Sequence, residues 1–340
     1  MEPVAALKQI ALHLERAGEP THKVQAFRRA AAVVAGLPAG ELEQRLKAGT
    51  LTALPGIGKT TATVIIEAAE GGEPAYLTKL SERGDAPLEA GGGGSELLAA
   101  LRGDCHTHSD WSDGGSPIRE MAEAAAALGH EWMVLTDHSP RLTVANGLSA
   151  DRLRRQLDVV AELNAELAPF RILTGIEVDI LADGGLDQEP ELLERLDIVV
   201  ASVHSALRMP SDEMTERMLT AIENPHTDVL GHCTGRKVAG RGRPESTFDA
   251  EAVFAACHNN GVAVEINSRP DRLDPPRRLV RLALELDCVF AIDSDAHAPG
   301  QLYWQPYGCA RAQECGVPAD RVINTRPADE LLAWAGARSS

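Results

Sequence analysis

From residue 103 onward, seven short apolar runs alternate with stretches in which apolar residues recur at helical spacing. This alternation predicts a parallel sheet closed into a barrel, because each helix must bury its apolar face against the strands beside it. The predicted strands are 103–106, 132–136, 171–178, 198–203, 228–231, 262–266 and 289–292. The predicted helices are 117–128, 151–167, 189–195, 212–223, 249–259 and 276–286. The fold class is therefore α/β.

Histidine motifs stand at the ends of these predicted strands. Six of the eleven histidines fall in the motifs His106-Thr-His108, Thr136-Asp137-His138, Ser202-Val203-His204, Gly231-His232 and Asp295-Ala-His297. One such motif alone is most often a hydrogen-bonded core or surface histidine. The carboxyl ends of barrel strands, however, meet on one face, where catalytic groups gather. Five motifs at successive strand ends therefore predict one shared site.

Three carboxylates complete this site. Asp113 follows the first histidine pair by a short loop, and Asp295 precedes His297. Glu177 lies in an otherwise apolar strand, where a lone charge is costly, so it is a candidate to bridge two ions. The nine candidate ligands are His106, His108, Asp113, His138, Glu177, His204, His232, Asp295 and His297. Nine donors exceed the positions around one ion, so two or three divalent ions are expected, and mixed imidazole and carboxylate favours Zn, Mn or Fe.

The order HTHS…SDG, TDH, GIE, SVHS, LGH and DSDAH resembles the PHP (polymerase and histidinol phosphatase) domain over roughly residues 103–325. The resemblance covers all nine candidate ligands. It implies a distorted (β/α)7 barrel, a trinuclear metal cluster and the hydrolysis of phosphoesters. Asp137 matches no ligand position of the family, and we expect it to orient His138 from outside the coordination sphere.

Phosphoester hydrolysis needs an activated water and positive charge around the phosphate. Bound metal ions lower the pKa of water and hold the phosphate oxygens, and basic side chains neutralise the developing charge. Arg236 follows the fifth predicted strand and Arg269 follows the sixth. We expect both to hold the substrate phosphate. The alternative for each is a surface ion pair.

Residues 1–80 have helical spacing throughout, with helices expected at 4–17, 23–35, 41–48 and 60–69. The segment Leu54-Pro-Gly-Ile-Gly-Lys59 lies before the last helix. A P-loop would need glycine at position 53 and a preceding strand, but the chain has Ala53 after helices. The favoured interpretation is a helix-hairpin-helix that binds a DNA phosphate through Gly56, Gly58 and Lys59, with Lys23 as a further contact. A helical turn without a ligand is the alternative.

The stretch from Pro20 through this hairpin resembles the small N-terminal DNA-binding domain of family X DNA polymerases, whose bacterial members also carry a PHP domain. In that family the polymerase palm lies between the two parts. Here only a glycine-rich linker, 81–102, joins 1–80 to 103–340, so no polymerase activity is expected. The family's lyase lysine is replaced by Val64, so lyase activity is not expected either.

The net charge of −17 is unevenly distributed. Residues 1–80 hold nine Lys/Arg and eight Asp/Glu, about +1, and the remainder holds 24 and 42, about −18. The acidic barrel argues against a broad DNA-wrapping surface and places DNA contact in the N-terminal part. The six cysteines form no CxxC pair, no apolar run approaches ~20 residues, and the first residues lack signal-peptide character. A cytoplasmic protein without a membrane segment is expected.

These observations favour a metal-dependent phosphoesterase that trims DNA 3′ ends as a 3′–5′ exonuclease, with the helical part holding the DNA backbone. A small-molecule phosphatase for histidinol phosphate or a nucleotide stays open, because its ligand pattern is the same. A non-enzymatic DNA-binding factor is the third possibility. It is disfavoured because none of the nine candidate ligands is missing.

Overall fold

A computed structural model describes residues 1–83 and 94–337. The chain divides into two compact units, Met1–Glu89 and Ala90–Ser340. Each unit buries apolar side chains in a core of its own. Within the described ranges, no helix combines the length and apolar character needed to cross a membrane.

The described part of the N-terminal unit is built from α-helices. They are α1 Pro3–Arg16, α2 Thr21–Ala35, α3 Glu41–Ala48, α4 Lys59–Ala69 and α5 Ala75–Arg83. In α1, Leu7, Ile10, Ala11 and Leu14 are buried, a three-and-four spacing that places them on one helix face. The all-helical expectation is confirmed. Helix α5 was not predicted, because only two of its residues, Leu77 and Leu80, are buried.

The predicted hairpin lies between α3 and α4. A single 3-10 turn, Leu51–Ala53, leads into it, and Gly56 adopts a φ of +93°, a conformation that favours glycine. The Gly58 N–H donates to Thr61 Oγ1 at 3.0 Å, which caps the start of α4. No strand precedes the hairpin in residues 1–83, so the P-loop alternative is wrong.

Seven parallel strands form the core of the second unit, in sequential order around the sheet. They are β1 Gly103–Thr107, β2 Trp132–Leu135, β3 Arg171–Asp179, β4 Ile198–Ser202, β5 Val229–Leu230, β6 Ala263–Asn267 and β7 Phe290–Asp293. The first half of β3 pairs with β2 and its second half pairs with β4, so this long strand joins the two parts of the sheet. The predicted strand order and (β/α)7 architecture are confirmed.

Strands β1 and β7 nearly close the barrel. The His108 N–H donates to the Ala296 carbonyl at 2.8 Å, and the Cys105 N–H donates to Asp293 Oδ1 at 2.8 Å. Asp104 accepts the Ser294 hydroxyl in the same seam. Burial raises the pKa of Asp104 to about 7. Carboxyl groups therefore replace part of the backbone ladder at this seam.

Helices surround the barrel. They are α6 Ser95–Ala100, α7 Ile118–Ala127, α8 Ala150–Leu167, α9 Pro190–Leu193, α10 Ser211–Ile222, α11 Ala250–Asn260, α12 Arg277–Glu285, α13 Gln305–Glu314 and α14 Ala328–Gly336. The expected linker 81–102 differs from the structure, since α5 ends at Arg83 and α6 begins at Ser95. Helix α6 packs on the barrel because Leu97 and Leu101 are buried. Residues 84–93, with most of the glycine run, lie outside the described residues.

Candidate metal centre

The nine predicted ligands lie together at the carboxyl ends of the strands. His106 is within β1 and His108 directly follows it, so the alternation of side chains along a strand points both to the same side. Glu177 lies within β3, between these histidines and those that follow β4 and β5. The sequence prediction that residues far apart in the chain share one pocket therefore agrees with the geometry.

Glu177 occupies the middle of the centre and is 1% exposed. Its Oε2 atom lies 3.2 Å from His106 Nε2 and 2.9 Å from His138 Nδ1. Its Oε1 atom lies 2.8 Å from His232 Nε2 and 3.1 Å from His204 Nε2. The two oxygens thus face different histidine pairs, which is the arrangement of a bridging carboxylate.

Two further carboxylates border the opposite side. Asp113 Oδ1 lies 3.5 Å from His138 Nε2 and 3.4 Å from His297 Nε2. Asp295 Oδ1 lies 3.6 Å from His108 Nε2 and 3.4 Å from His297 Nδ1. The side chains of Asp113 and His297 are 36% and 19% exposed, so the centre opens to solvent here.

The donor atoms fit divalent cations. Three groups have ligand atoms within 4.8 Å of one another: His108, Asp113, His138 and His297; His106, His108 and Asp295; His138, Glu177 and His204. Both ring nitrogens of His108 are buried without a hydrogen-bond partner among the described residues. Each unsatisfied buried group costs about 1–3 kcal/mol. Cations between these atoms would remove that cost.

The carboxylates and imidazoles of the centre strongly shift one another's pKa. Burial would raise the pKa of Glu177, but the His106 and His138 imidazoles hold it well below its usual range. Burial lowers the pKa of His204, but the neighbouring Glu177 carboxylate raises it to about 9. Burial and the nearby His297 keep the pKa of His108 well below its usual range. The carboxylates are therefore ionised and surrounded by groups that compensate their charge.

Two carboxylates in contact with the ligands were missed by the sequence analysis. Glu265 Oε1 lies 2.6 Å from His106 Nδ1, and its other oxygen accepts the His232 N–H. Asp179 Oδ1 lies 3.4 Å from His204 Nδ1 and accepts the N–H of the same residue at 3.1 Å. Both fix the orientation of an imidazole. The pattern that selected Glu177, an acidic residue in an apolar strand, would also have found them, because Glu265 lies within β6 and Asp179 ends β3.

The expected role of Asp137 is wrong. Its carboxylate accepts the Ser109 N–H at 2.8 Å, the Ser109 hydroxyl at 2.6 Å and the Gln156 amide at 2.6 Å, together with the Ser112 hydroxyl. Adjacent residues of extended chain point to opposite sides, so Asp137 faces away from the ring of His138. It orients the loop that carries Asp113 instead.

Arg269 lies beside the centre, as predicted. Its Nη1 atom is 3.4 Å from Asp295 Oδ1 and 3.2 Å from His297 Nδ1. Its guanidinium carbon lies 5.8 Å from the ring centroid of Trp304. Arg272, which was not selected from the sequence, places Nε 3.3 Å from Asp295 Oδ2. Both guanidinium groups are held at the rim by the metal-site carboxylate.

Arg236 makes different contacts. Its Nε donates to the Arg272 carbonyl at 3.1 Å, its Nη2 donates to the Leu273 carbonyl, and its Nη1 lies 3.5 Å from Glu245. The Nε and Nη2 donors of Arg236 therefore bind carbonyls of the loop after β6 rather than facing the metal centre. The predicted phosphate contact of Arg236 therefore has no support from this geometry, whereas that of Arg269 does.

The four DNA-contact candidates of the N-terminal unit do not share one environment. Gly56, Gly58 and Lys59 are exposed at the hairpin, where α4 begins. Lys23 lies on α2, and its Nζ is 2.7 Å from Glu19 Oε2, an ion pair between successive helical turns. The structure therefore brings together three of the four candidates.

Known families match both units. Residues 104–269 match the PHP domain and residues 1–74 match a helix-hairpin-helix domain. The chain belongs to the PHP domain family. A "probable phosphatase" of Acetivibrio thermocellus is 36% identical over 231 residues, which is 65% of this chain and 90% of that protein. A "probable phosphatase" of Thermoanaerobacter sp. (strain X514) is 31% identical over 233 residues and 89% of its length.

Another relative is longer than this chain. The "DNA polymerase/3'-5' exonuclease PolX" of Bacillus subtilis (strain 168) is 39% identical over 237 residues, which is 70% of this chain but 41% of that protein. The crystal structure of a histidinol phosphate phosphatase from Lactococcus lactis, with zinc, L-histidinol and phosphate, has 17% identity and a TM-score of 0.48. It covers 64% of this chain and 95% of that one. The family match and the two relatives named as phosphatases identify this PHP protein as a phosphoester hydrolase.

Proposed function

We propose that this PHP protein is a metal-dependent 3′–5′ exonuclease that trims DNA 3′ ends and has no polymerase activity. The observation that carries the proposal is one chain combining a helix-hairpin-helix unit with nine converging ligand side chains. The similarity to a relative named as a polymerase and 3′–5′ exonuclease supports it. Only residues 75–103 lie between the matched parts, too few for a polymerase palm.

In this proposal the nine ligands hold two or three divalent ions of zinc, manganese or iron. Such ions supply Lewis acidity, which activates water and neutralises phosphate charge. Glu177 would hold these ions through both of its oxygens, which face different histidines. Glu265 and Asp179 hold His106 and His204 in one orientation. The substrate phosphate enters on the exposed side.

Arg269 supports the negative charge that develops on the phosphate. Burial lowers the pKa of Arg269, but the Asp295 and Asp271 carboxylates more than offset this and raise it, so the side chain stays charged. It is 19% exposed and therefore accessible to a phosphate at the rim. Arg272 lies on the same carboxylate and adds a second positive charge.

The N-terminal unit holds the DNA backbone through its hairpin. The first-turn amides of α4 and the exposed Lys59 side chain offer hydrogen bonds and positive charge to one phosphate. Contacts of this kind position DNA without reading its bases. The substrate is therefore a DNA end of any sequence.

A small-molecule phosphatase is the second candidate. The relatives named "probable phosphatase" match this chain along 89% and 90% of their lengths. The excess of acidic residues after position 80 also disfavours polyanions outside the centre. This candidate uses the same ligands and differs in substrate.

The two candidates separate in one assay on the full chain loaded with zinc, manganese or iron. We expect 5′-labelled single-stranded and gapped DNA to shorten from the 3′ end. Lys59→Ala should weaken DNA binding about threefold, while the exposed Lys47→Ala on α3 should not. Intact DNA alongside rapid hydrolysis of a small phosphate monoester would reject the exonuclease in favour of the phosphatase.

A further inference from the structure

Two exposed arginines in the loops that follow His204 and His232 have no acidic partner among the described residues. Arg208 follows His204 in the loop after β4, and Arg241 follows His232 in the loop after β5. Within the same part of the chain, neither side chain has a hydrogen bond or ion pair. By contrast, seven arginines on helices or near the amino ends of strands each pair with a carboxylate: Arg102, Arg119, Arg154, Arg171, Arg277, Arg278 and Arg321.

Arg241 lies at the tip of a defined hairpin. The Lys237 N–H donates to the Arg243 carbonyl at 2.9 Å, and the Arg243 N–H donates back at 2.8 Å. Gly240 and Gly242 have φ values of +67° and +62°, which allow the chain to reverse. The hairpin therefore presents the Arg241 side chain on a backbone of fixed shape.

Both loops are anchored next to the centre. The Val238 N–H donates to the Asp271 carbonyl at 2.7 Å, and the Asp271 carboxylate pairs with Arg269 at 3.3 Å. The Ser246 hydroxyl donates to the Leu207 carbonyl at 2.8 Å. This hydrogen bond joins the loop after β5 to the loop after β4, which carries Arg208. The two arginines thus belong to one continuous rim.

Unpaired guanidinium groups on an acidic protein favour an anionic ligand. Arginine binds phosphate oxygens with two donors at once. A small phosphate monoester ends within the centre and gains little from charges outside it, whereas a polynucleotide continues past the rim. Resting on the function proposed above, we propose that Arg208 and Arg241 bind the phosphodiester backbone of a single strand whose 3′ end lies in the metal centre.

The test uses Arg208→Ala, Arg241→Ala and the double variant in the full chain. Binding of a 5′-fluorescein-labelled oligothymidylate with phosphorothioate linkages, which resist hydrolysis, is measured by anisotropy on the metal-loaded protein. The double variant should bind about tenfold more weakly, roughly threefold for each arginine removed. The slope of log affinity against log salt should fall by about 0.7 for each phosphate that the variant no longer neutralises. Hydrolysis of a small monoester by the metal-loaded variants should match the wild type.

Arg195→Ala is the matched control. Arg195 is exposed and has no acidic partner among the described residues, but it precedes β4 and so lies at the opposite end of the barrel. Its oligonucleotide affinity should equal that of the wild type. Wild-type affinity and salt slope in the double variant would overturn the inference while leaving the exonuclease proposal intact. If the wild type hydrolyses only the monoester, the exonuclease proposal fails. The anisotropy result still decides whether Arg208 and Arg241 bind single-stranded DNA.

Discussion

At the residue scale, one buried carboxylate positions two candidate ligands of the metal centre. Glu265 is 0% exposed, and its two oxygens contact the His106 ring and the His232 backbone. The contact to His106 Nδ1 leaves Nε2 directed at Glu177. Carboxylates in this role raise the basicity of an imidazole ligand and fix its ring.

Replacing Glu265 with Gln should therefore weaken metal binding. The amide keeps the size of the side chain but removes its charge, and we expect a decrease of about 10–100-fold in metal affinity. Competition with a chromogenic chelator measures the affinity, and elemental analysis measures the metal content. The exposed Glu285→Gln on α12 serves as the control. Equal affinities in the two variants would contradict the positioning role of Glu265.

At the element scale, helix α10 holds the loop that carries His204. Arg217 on this helix is 2% exposed. Its Nε donates to the Ile180 carbonyl at 3.1 Å, and its Nη1 donates to the Ser205 carbonyl at 2.9 Å. One buried side chain thus joins the end of β3 to the loop after β4. The position of the His204 ligand depends on this link between elements.

Arg217→Met should lower the free energy of unfolding by about 3 kcal/mol, because the buried Ile180 carbonyl and the partly buried Ser205 carbonyl lose their donor. Metal affinity should fall with it, since the loop after β4 loses its anchor. Urea denaturation followed by tryptophan fluorescence measures the first effect, and chelator competition measures the second. Arg155→Met, on the exposed face of α8, should change neither. A variant at 217 with the wild-type denaturation midpoint would refute this account.

At the scale of the whole molecule, the two units should respond differently to metal removal. All nine candidate ligands lie in the barrel unit, and so do all four tryptophans, at positions 111, 132, 304 and 334. The helical unit has its own core around α1, α2 and α4. Tryptophan fluorescence therefore reports on the barrel alone, while circular dichroism reports on both units.

Stripping the metal with EDTA should lower the barrel's melting temperature by about 10 °C. Bound ligand at a thousandfold excess over its Kd stabilises by about 4 kcal/mol, and each kcal/mol shifts a unit of this size by about 2–4 °C. The fluorescence transition should move, while the part of the dichroism change that belongs to the helical unit should stay in place. A shift in both, or in neither, would contradict the assignment of the metal to the barrel.

Much of the architecture followed from local patterns. The seven strands were predicted because buried parallel strands are continuous apolar runs, and the histidine motifs marked their ends. The sequence analysis did not predict helices α5, α6, α13 and α14. In the first two, Leu77 and Leu80, like Leu97 and Leu101, are too few to show a helical period. These two short segments are helical because their leucines pack against the rest of the unit to which they belong.

The sequence by itself determined the set of nine candidate ligands and the order of the elements, because both depend on residue type and spacing along the chain. Only the tertiary structure decided which polar groups meet. Asp137 reaches Ser109 instead of His138, Arg236 binds loop carbonyls, and Glu265 joins His106 across 159 residues. These pairings depend on the direction of each side chain and on the distance between strands distant in sequence, which no local spacing specifies.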